Sequence, residues 1–406
     1  MRLELSRAPL VRWRTAIFAI FLLTGLGFGS WSSRLPAVKA SLGIDDFELG
    51  VLLLVLGATS IIGLSIANVM AARWGARRSM HATIVALTLG LVFTTMSIQV
   101  VESYALAAVG LVFVGAGMSS TDVLMNVEAA AVEQAFERTL MPLFHGFFSI
   151  GTVIGAGVGV GMAAWAVPVG WHVGGVALLI LAGGLLSLRF VPVREAVGGH
   201  APAASRRERF AAFLSVWRDP RIYAIGMVML GMSFAEGGAN DWLAIAVVDG
   251  HDATEATGAI ALTIFSVAMT LTRILGGPLV DRMGRVLTLR VLAVLAAGGL
   301  VLFILAPSLP VAMIGATLWG AGASLGFPLG MSAAADDPDK AAASVSAAAT
   351  IGYLAFLAGP PVLGWVSHHV GILPTLWIIV VLIVLSGLFS GATKPLAGSK
   401  VGAGRH

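Results

Sequence analysis

Gly277-Pro-Leu-Val-Asp281-Arg282-Met-Gly284-Arg285 is a short charged segment between two apolar runs, 258–280 and 287–306, and its reading decides the fold. Glycine permits a tight turn and close packing, an aspartate can sit at a neighbouring helix N-terminus, and arginines bind carboxylates. The segment therefore reads as a latch at a helix end. A looser copy, Asn68-Val-Met-Ala-Ala-Arg73-Trp-Gly75-Ala-Arg77-Arg78, comes earlier, with Gly75 lying 209 residues before Gly284. There Asn68 stands for the leading glycine and Ala72 for the aspartate. The candidate latch residues are Arg73, Gly75 and Arg77 in the first copy and Gly277, Asp281, Arg282, Gly284 and Arg285 in the second.

Other pairs share this spacing. Trp31 matches Trp242 at an offset of 211, Gly115-Ala-Gly-Met-Ser119 matches Gly320-Ala-Gly-Ala-Ser324 at 205, and Ser149-Ile-Gly151 matches Thr350-Ile-Gly352 at 201. A smooth drift means the same order of elements with slightly shorter connections, the mark of a duplicated unit. The expected organisation is a first half over 1–190, a basic linker over 191–221 and a second half over 222–406.

With 58% hydrophobic and 11% charged residues over 406 positions, the chain is far from a water-soluble globule, which carries charge at about one residue in four. A crossing takes about 20 apolar residues. Runs of that length occur near 15–35, 49–71, 80–99, 105–131, 143–165 and 171–190, and again near 222–246, 258–280, 287–306, 311–334, 344–367 and 372–392. The expected fold is all-α and integral to the membrane, with twelve helices as two six-helix parallel repeats. Fifty glycines suit it, because small residues let helices approach closely in lipid.

Of the 25 basic residues, all but Arg34, Lys39 and Arg273 fall on one side when the spans alternate, and that side is cytoplasmic by the inside-positive rule. Both termini are expected in the cytoplasm, in a bacterial-type inner membrane. The basic excess is thus topological and implies no nucleic acid. No cysteine is present, nor a Walker loop or a His-Glu-x-x-His motif, so no cofactor, no metal and no enzymatic activity are expected.

Four polar residues lie within spans at helical i, i+4 spacing: Asp122 with Asn126, and Glu236 with Asn240. A carboxylate at the helix centre costs about 2.5–3.5 kcal/mol on insertion scales, so its retention suggests a function. Each acid has two readings, proton or substrate binding, or a structural partnership; for Asp122 the partner would be Asn126 or Arg273. Arg273 reads as a buried ion pair, as part of the latch, or as a substrate contact. Trp31, Trp242, Trp319, Phe327 and Tyr353 are candidate cavity residues, with interfacial anchoring as the rival.

The latch at 277–285, the twelve runs and the duplication resemble the major facilitator superfamily. The Asp122-to-Asn126 and Glu236-to-Trp242 patterns look like its fucose and glucose permease-like branch. That resemblance implies alternating access by two halves about a central site, a small polar organic solute of which a sugar is one candidate, and protons as the coupling ion through Asp122 or Glu236. The first span departs from the branch in holding no acid and ending in Arg34. Proton-driven efflux of amphipathic compounds is the alternative, and a non-transporting membrane sensor a distant one. The partners implied are the solute, protons and the lipid bilayer, with the protein a monomer.

Overall fold

The computed structural model describes residues 7–137, 140–193, 216–337 and 340–396. The described residues form helices and no strands. The first six are α1 (Arg7–Ser32), the short α2 (Leu35–Leu42), α3 (Asp46–Gln99), α4 (Tyr104–Phe136), α5 (Met141–Ala164) and α6 (Val169–Leu188). After residue 215 come α7 (Pro220–Gly238), α8 (Glu255–Ile304), α9 (Leu309–Ala323), α10 (Gly326–Ala334), α11 (Ala341–Val370), α12 (Ile372–Thr375) and α13 (Trp377–Phe389).

Among the described residues, ten helical segments are long and apolar enough to cross a bilayer. Two of them, α3 at 54 and α8 at 50 residues, would extend about 75–80 Å at 1.5 Å per residue, more than twice the hydrocarbon thickness. Each contains one non-helical glycine, Gly75 (φ 76°, ψ 159°) and Gly284 (φ 73°, ψ 162°). This conformation is almost confined to glycine, and it divides each helix into two crossings, which accommodates the expected twelve. Leu89 at 62%, Val294 at 74% and Leu388 at 71% exposure are apolar side chains turned outward, as a lipid-facing surface requires.

The helix starts follow local chemistry. Asp45 and Glu48 close a capping box at the head of α3, and Asp219 accepts from the Arg221 amide one residue before Pro220 begins α7. The α1–α5 contact is made by glycine on both helices. A Cβ on Gly25 or Gly29 would overlap the carbonyl oxygens of Phe148 or Thr152, and one on Gly151 or Gly155 would overlap those of Leu22 or Leu26. The two backbones touch, so dispersion contacts substitute for a hydrophobic drive that lipid does not supply.

The chain divides into two compact units, Met1–Gly199 with Ala253–Thr263, and His200–Asp252 with Ile264–His406. Their packing repeats in kind. Gly115 abuts the Leu56 carbonyl and Gly320 the Phe265 carbonyl, each too closely to admit a Cβ. The segment Ala253–Thr263, at the head of the eighth span, clusters with the first unit. Arg34 lies there, 3% exposed, donating to the Val167 carbonyl at 2.8 Å and pairing with Glu255 at 3.7 Å. Burial pulls its pKa below the usual arginine value, and Glu255 opposes that shift.

Candidate functional site

In the first unit, Asp122 stands near the middle of α4. The Asn126 amide donates to the Asp122 backbone carbonyl at 2.9 Å and to its carboxylate at 3.3 Å. The i, i+4 spacing read from sequence thus becomes a direct contact, and of the two partners weighed for Asp122 it is Asn126 that engages it. No cation pairs with Asp122 among the described residues. Further along α4, Glu128 is 1% exposed and accepts from the Trp13 indole at 2.9 Å, tying α4 to α1. Trp31, at the end of α1, is 7% exposed, and its indole nitrogen has no hydrogen-bond partner among the described residues.

The second unit holds a denser constellation. Glu236 on α7 accepts from Arg273 on α8 at 3.1 Å, and the Arg273 Nε donates to the Ser324 carbonyl at 3.1 Å. Ser324 lies in the gap between α9 and α10, where the tenth span breaks before Gly326 and Pro328. A helix break leaves carbonyls without an intrahelical donor, and a guanidinium with five N–H groups can satisfy one of them while binding a carboxylate. Arg273 therefore joins the seventh, eighth and tenth spans. The pair with Glu236 is partly exposed, at 29% for Arg273 and 23% for Glu236, rather than buried.

The seventh span changes form at this level. Ala239–Leu243 is π-helical, as is Ala246–Gly250. Such bulges are rare and frequent at functional sites. This one carries Asn240, which is buried, and Asp241, which makes no ion pair among the described residues. Sequence reasoning did not single out Asp241, because a π-bulge leaves no reliable mark in composition.

An aromatic ladder flanks the pair. The rings of Phe327 and Tyr353 lie 5.6 Å apart and those of Tyr353 and Phe356 6.4 Å apart. Phe356 reaches within 3.0 Å of a Cβ built on Gly237, the residue after Glu236. Trp242 and Trp319 are different: both are fully buried, and Trp319 packs edge-on to Phe265 and tilted on Phe303. They are core side chains of the unit, with indole nitrogens that have no partner among the described residues.

At the latch, Gly75 and Gly284 form the turns. The carboxylate that engages the second copy is that of Asp336. Arg285 donates to Asp336 at 2.7 Å and to the Ser332 hydroxyl at 3.0 Å, and Arg221 donates to the other Asp336 oxygen at 3.0 Å. The Asp336 side chain is wholly buried between the two guanidiniums. Asp281 and Arg282 are exposed, as is Arg73, and none of them forms an ion pair among the described residues; Gly277 has open space around it. The first copy has Ala76 where Arg285 stands, and the acid at the end of its fourth span, Glu133, instead accepts the Leu140 and Met141 amides at the head of α5.

Known proteins match both the sequence and the fold. The family described as Major Facilitator Superfamily matches over residues 17–360 and 238–403. An uncharacterized MFS-type transporter of Yersinia pestis is 31% identical over 351 residues, covering 86% of this chain and 87% of its own. The membrane protein MosC of Rhizobium meliloti is 24% identical over 361 residues, covering 88% and 84% respectively. Among solved structures, a mutant form of the nucleoside transporter NupG superposes with a TM-score of 0.79 at 14% identity over 94% of this chain and all of its own. A D-xylose-proton symporter reaches 0.74 at 15% identity, covering 96% and 99%. A variant of the E. coli fucose:proton symporter FucP reaches 0.65 at 17%, covering 96% and 100%.

Proposed function

From the premise that the chain belongs to the Major Facilitator Superfamily, and so is a multi-pass membrane transporter and not an enzyme, we propose that it carries a small polar organic solute by proton-coupled alternating access. The observation that carries this reading is the placement of one acid near mid-span in each unit with unlike partners. Asp122 has an amide for company, and Glu236 has a guanidinium.

Those partners assign different work. Protonating Glu236 would strand Arg273 at membrane depth without its counterion, a cost of several kcal/mol for a desolvated cation. Protonating Asp122 breaks no ion pair, and the neutral carboxyl keeps its hydrogen bond with Asn126. Asp122 is therefore the proton carrier in this reading. Glu236 and Arg273 hold the solute's hydroxyls through charge-assisted hydrogen bonds, with Asn240 beside them. Phe327 and Tyr353 offer ring faces for the C–H face of a sugar-like solute. The symporter structures named above superpose on this chain and bring proton-coupled sugar transport into consideration on fold alone. The inside-positive charge distribution supports cytoplasmic termini.

The test uses protein reconstituted in vesicles with a panel of radiolabelled sugars, polyols and nucleosides. Wild type is expected to accumulate one class under an inward proton gradient. Asp122→Asn is expected to lose that accumulation and retain downhill exchange, whereas Glu236→Gln and Arg273→Gln lose binding itself. Undiminished gradient-driven accumulation in Asp122→Asn refutes the proton assignment. Outward movement of amphipathic cations in place of uptake refutes the solute class.

A further inference from the structure

In the second unit Arg221 and Arg285 share an acid, Asp336. In the first unit three arginines converge without one among the described residues. Arg12 on α1, Arg77 just beyond the Gly75 turn of α3 and Arg189 at the end of α6 line an open cavity of about 250 Å³, together with Pro9, Phe190, Val191 and Pro192. Among the described residues no acidic side chain lines it, and none of the three arginines forms an ion pair. Like charges on one wall repel, so their collection here has a cost that an anion in the cavity would remove.

Three features of the cavity select the anion. Guanidiniums match phosphate oxygens in geometry and bind them in pairs. The space is below the roughly 300–1,000 Å³ of pockets that enclose a whole ligand, so it suits a headgroup whose remainder lies outside. The helices that supply the arginines run from the cavity into the apolar belt with outward-facing aliphatic side chains, Leu186 and Leu179 on α6 and Leu89 on α3, each more than half exposed. Acyl chains are the natural cover for that track. By the inside-positive distribution this is the cytoplasmic leaflet, where anionic lipids concentrate.

We propose that Arg12, Arg77 and Arg189 form a binding site for the phosphate headgroup of an anionic phospholipid, whose tails lie against α3 and α6. The site is separate from Asp122 and Asn126 and does not depend on the identity of the solute. Its place at the Gly75 turn would couple lipid occupancy to the conformation of the first latch copy.

Native mass spectrometry of the delipidated full-length protein tests this, with phosphatidylglycerol, cardiolipin, phosphatidylcholine and inorganic phosphate added separately. The expected result is retained phosphatidylglycerol or cardiolipin adducts, few phosphatidylcholine adducts, and no displacement by millimolar inorganic phosphate. Arg12→Gln with Arg189→Gln is expected to weaken the anionic adduct about fivefold per charge removed, roughly thirtyfold together. Both side chains are exposed and without an ion pair among the described residues, so their loss strips no acid of its partner there. Arg282→Gln, at an exposed arginine of the second unit, is expected to change nothing. In the unmutated protein, raising the salt concentration is expected to weaken phosphatidylglycerol binding and leave phosphatidylcholine unchanged. Equal retention of the two lipids, an unchanged adduct in the double variant, or displacement by free phosphate at matched concentration each overturns the proposal.

Discussion

Replacing Asp336 by Asn separates the latch acid that the structure uses from the one the motif suggests. Asp336 has no exposed side-chain surface, and Arg285 only 5%. The substitution removes the charge that two guanidiniums share and leaves a single amide oxygen for both. Breaking a buried pair from one side typically costs about 3–5 kcal/mol, because the remaining charge stays desolvated. Arg285 keeps the Ser332 hydroxyl, and Arg221, at 22% exposure, keeps the Ala392 and Lys394 carbonyls, so the lower end applies. A loss of about 3 kcal/mol in a unit of this size corresponds to roughly 6–12 °C in melting temperature. Asp281→Asn, at an exposed residue outside any ion pair, is expected to shift it by less than about 2 °C. Arg221→Gln should fall between the two, since it leaves Asp336 paired with Arg285. The measurement is thermal unfolding of each purified variant by intrinsic tryptophan fluorescence in one detergent, with the Asp336→Leu/Arg285→Met pair as the control. Removing Asp336 together with the more deeply buried guanidinium leaves only Arg221, which is partly exposed and keeps two backbone carbonyls, so part of the loss should be recovered. If Asp336→Asn melted no lower than Asp281→Asn, the two-arginine node would carry no stability and the reasoning would fail.

Gly284→Ala and Gly75→Ala should each cost about 1–3 kcal/mol, measured by the same melting assay, because both glycines occupy a region nearly closed to other residues; at Gly284 the surrounding space is open, so the cost there is wholly conformational and a neutral result would refute it. Gly29→Ala and Gly151→Ala should each lower the melting temperature by pushing α1 from α5, at about 1–3 kcal/mol, since each new Cβ meets a backbone carbonyl. At the head of α8, Glu255→Gln should be costlier than Arg34→Met: the first strands a buried guanidinium whose Nε and Nη1 already have no partner among the described residues, and the second removes it. Hydrogen exchange over 253–263 reads the difference, and faster exchange in Arg34→Met than in Glu255→Gln would contradict it.

The readable parts of this fold were those that depend on composition and repetition. Apolar run length marked the crossings because the bilayer imposes it on every segment alike, and the duplication survived as matched glycines because the same backbone contact recurs at Gly115 and Gly320. Gly75 and Gly284 stood out because each half needs the same turn. Pairings between distant segments were less legible. Asp122 and Asn126 are four residues apart, so helix geometry alone brought them together. Glu236 and Arg273 are 37 apart, and nothing local announces that the run 311–334 would break at Ser324 and turn a carbonyl toward the same guanidinium. Asp336 lies 51 residues from Arg285 in a run of acids that reads as a solvated loop. Its burial depends on Arg221 arriving from the head of α7. A motif records which residues one segment contributes, and the charge that completes it comes from wherever the tertiary fold delivers an unsatisfied partner. The same reasoning makes Arg12, Arg77 and Arg189 informative, because among the described residues the cavity they line brings together three donors and no acid.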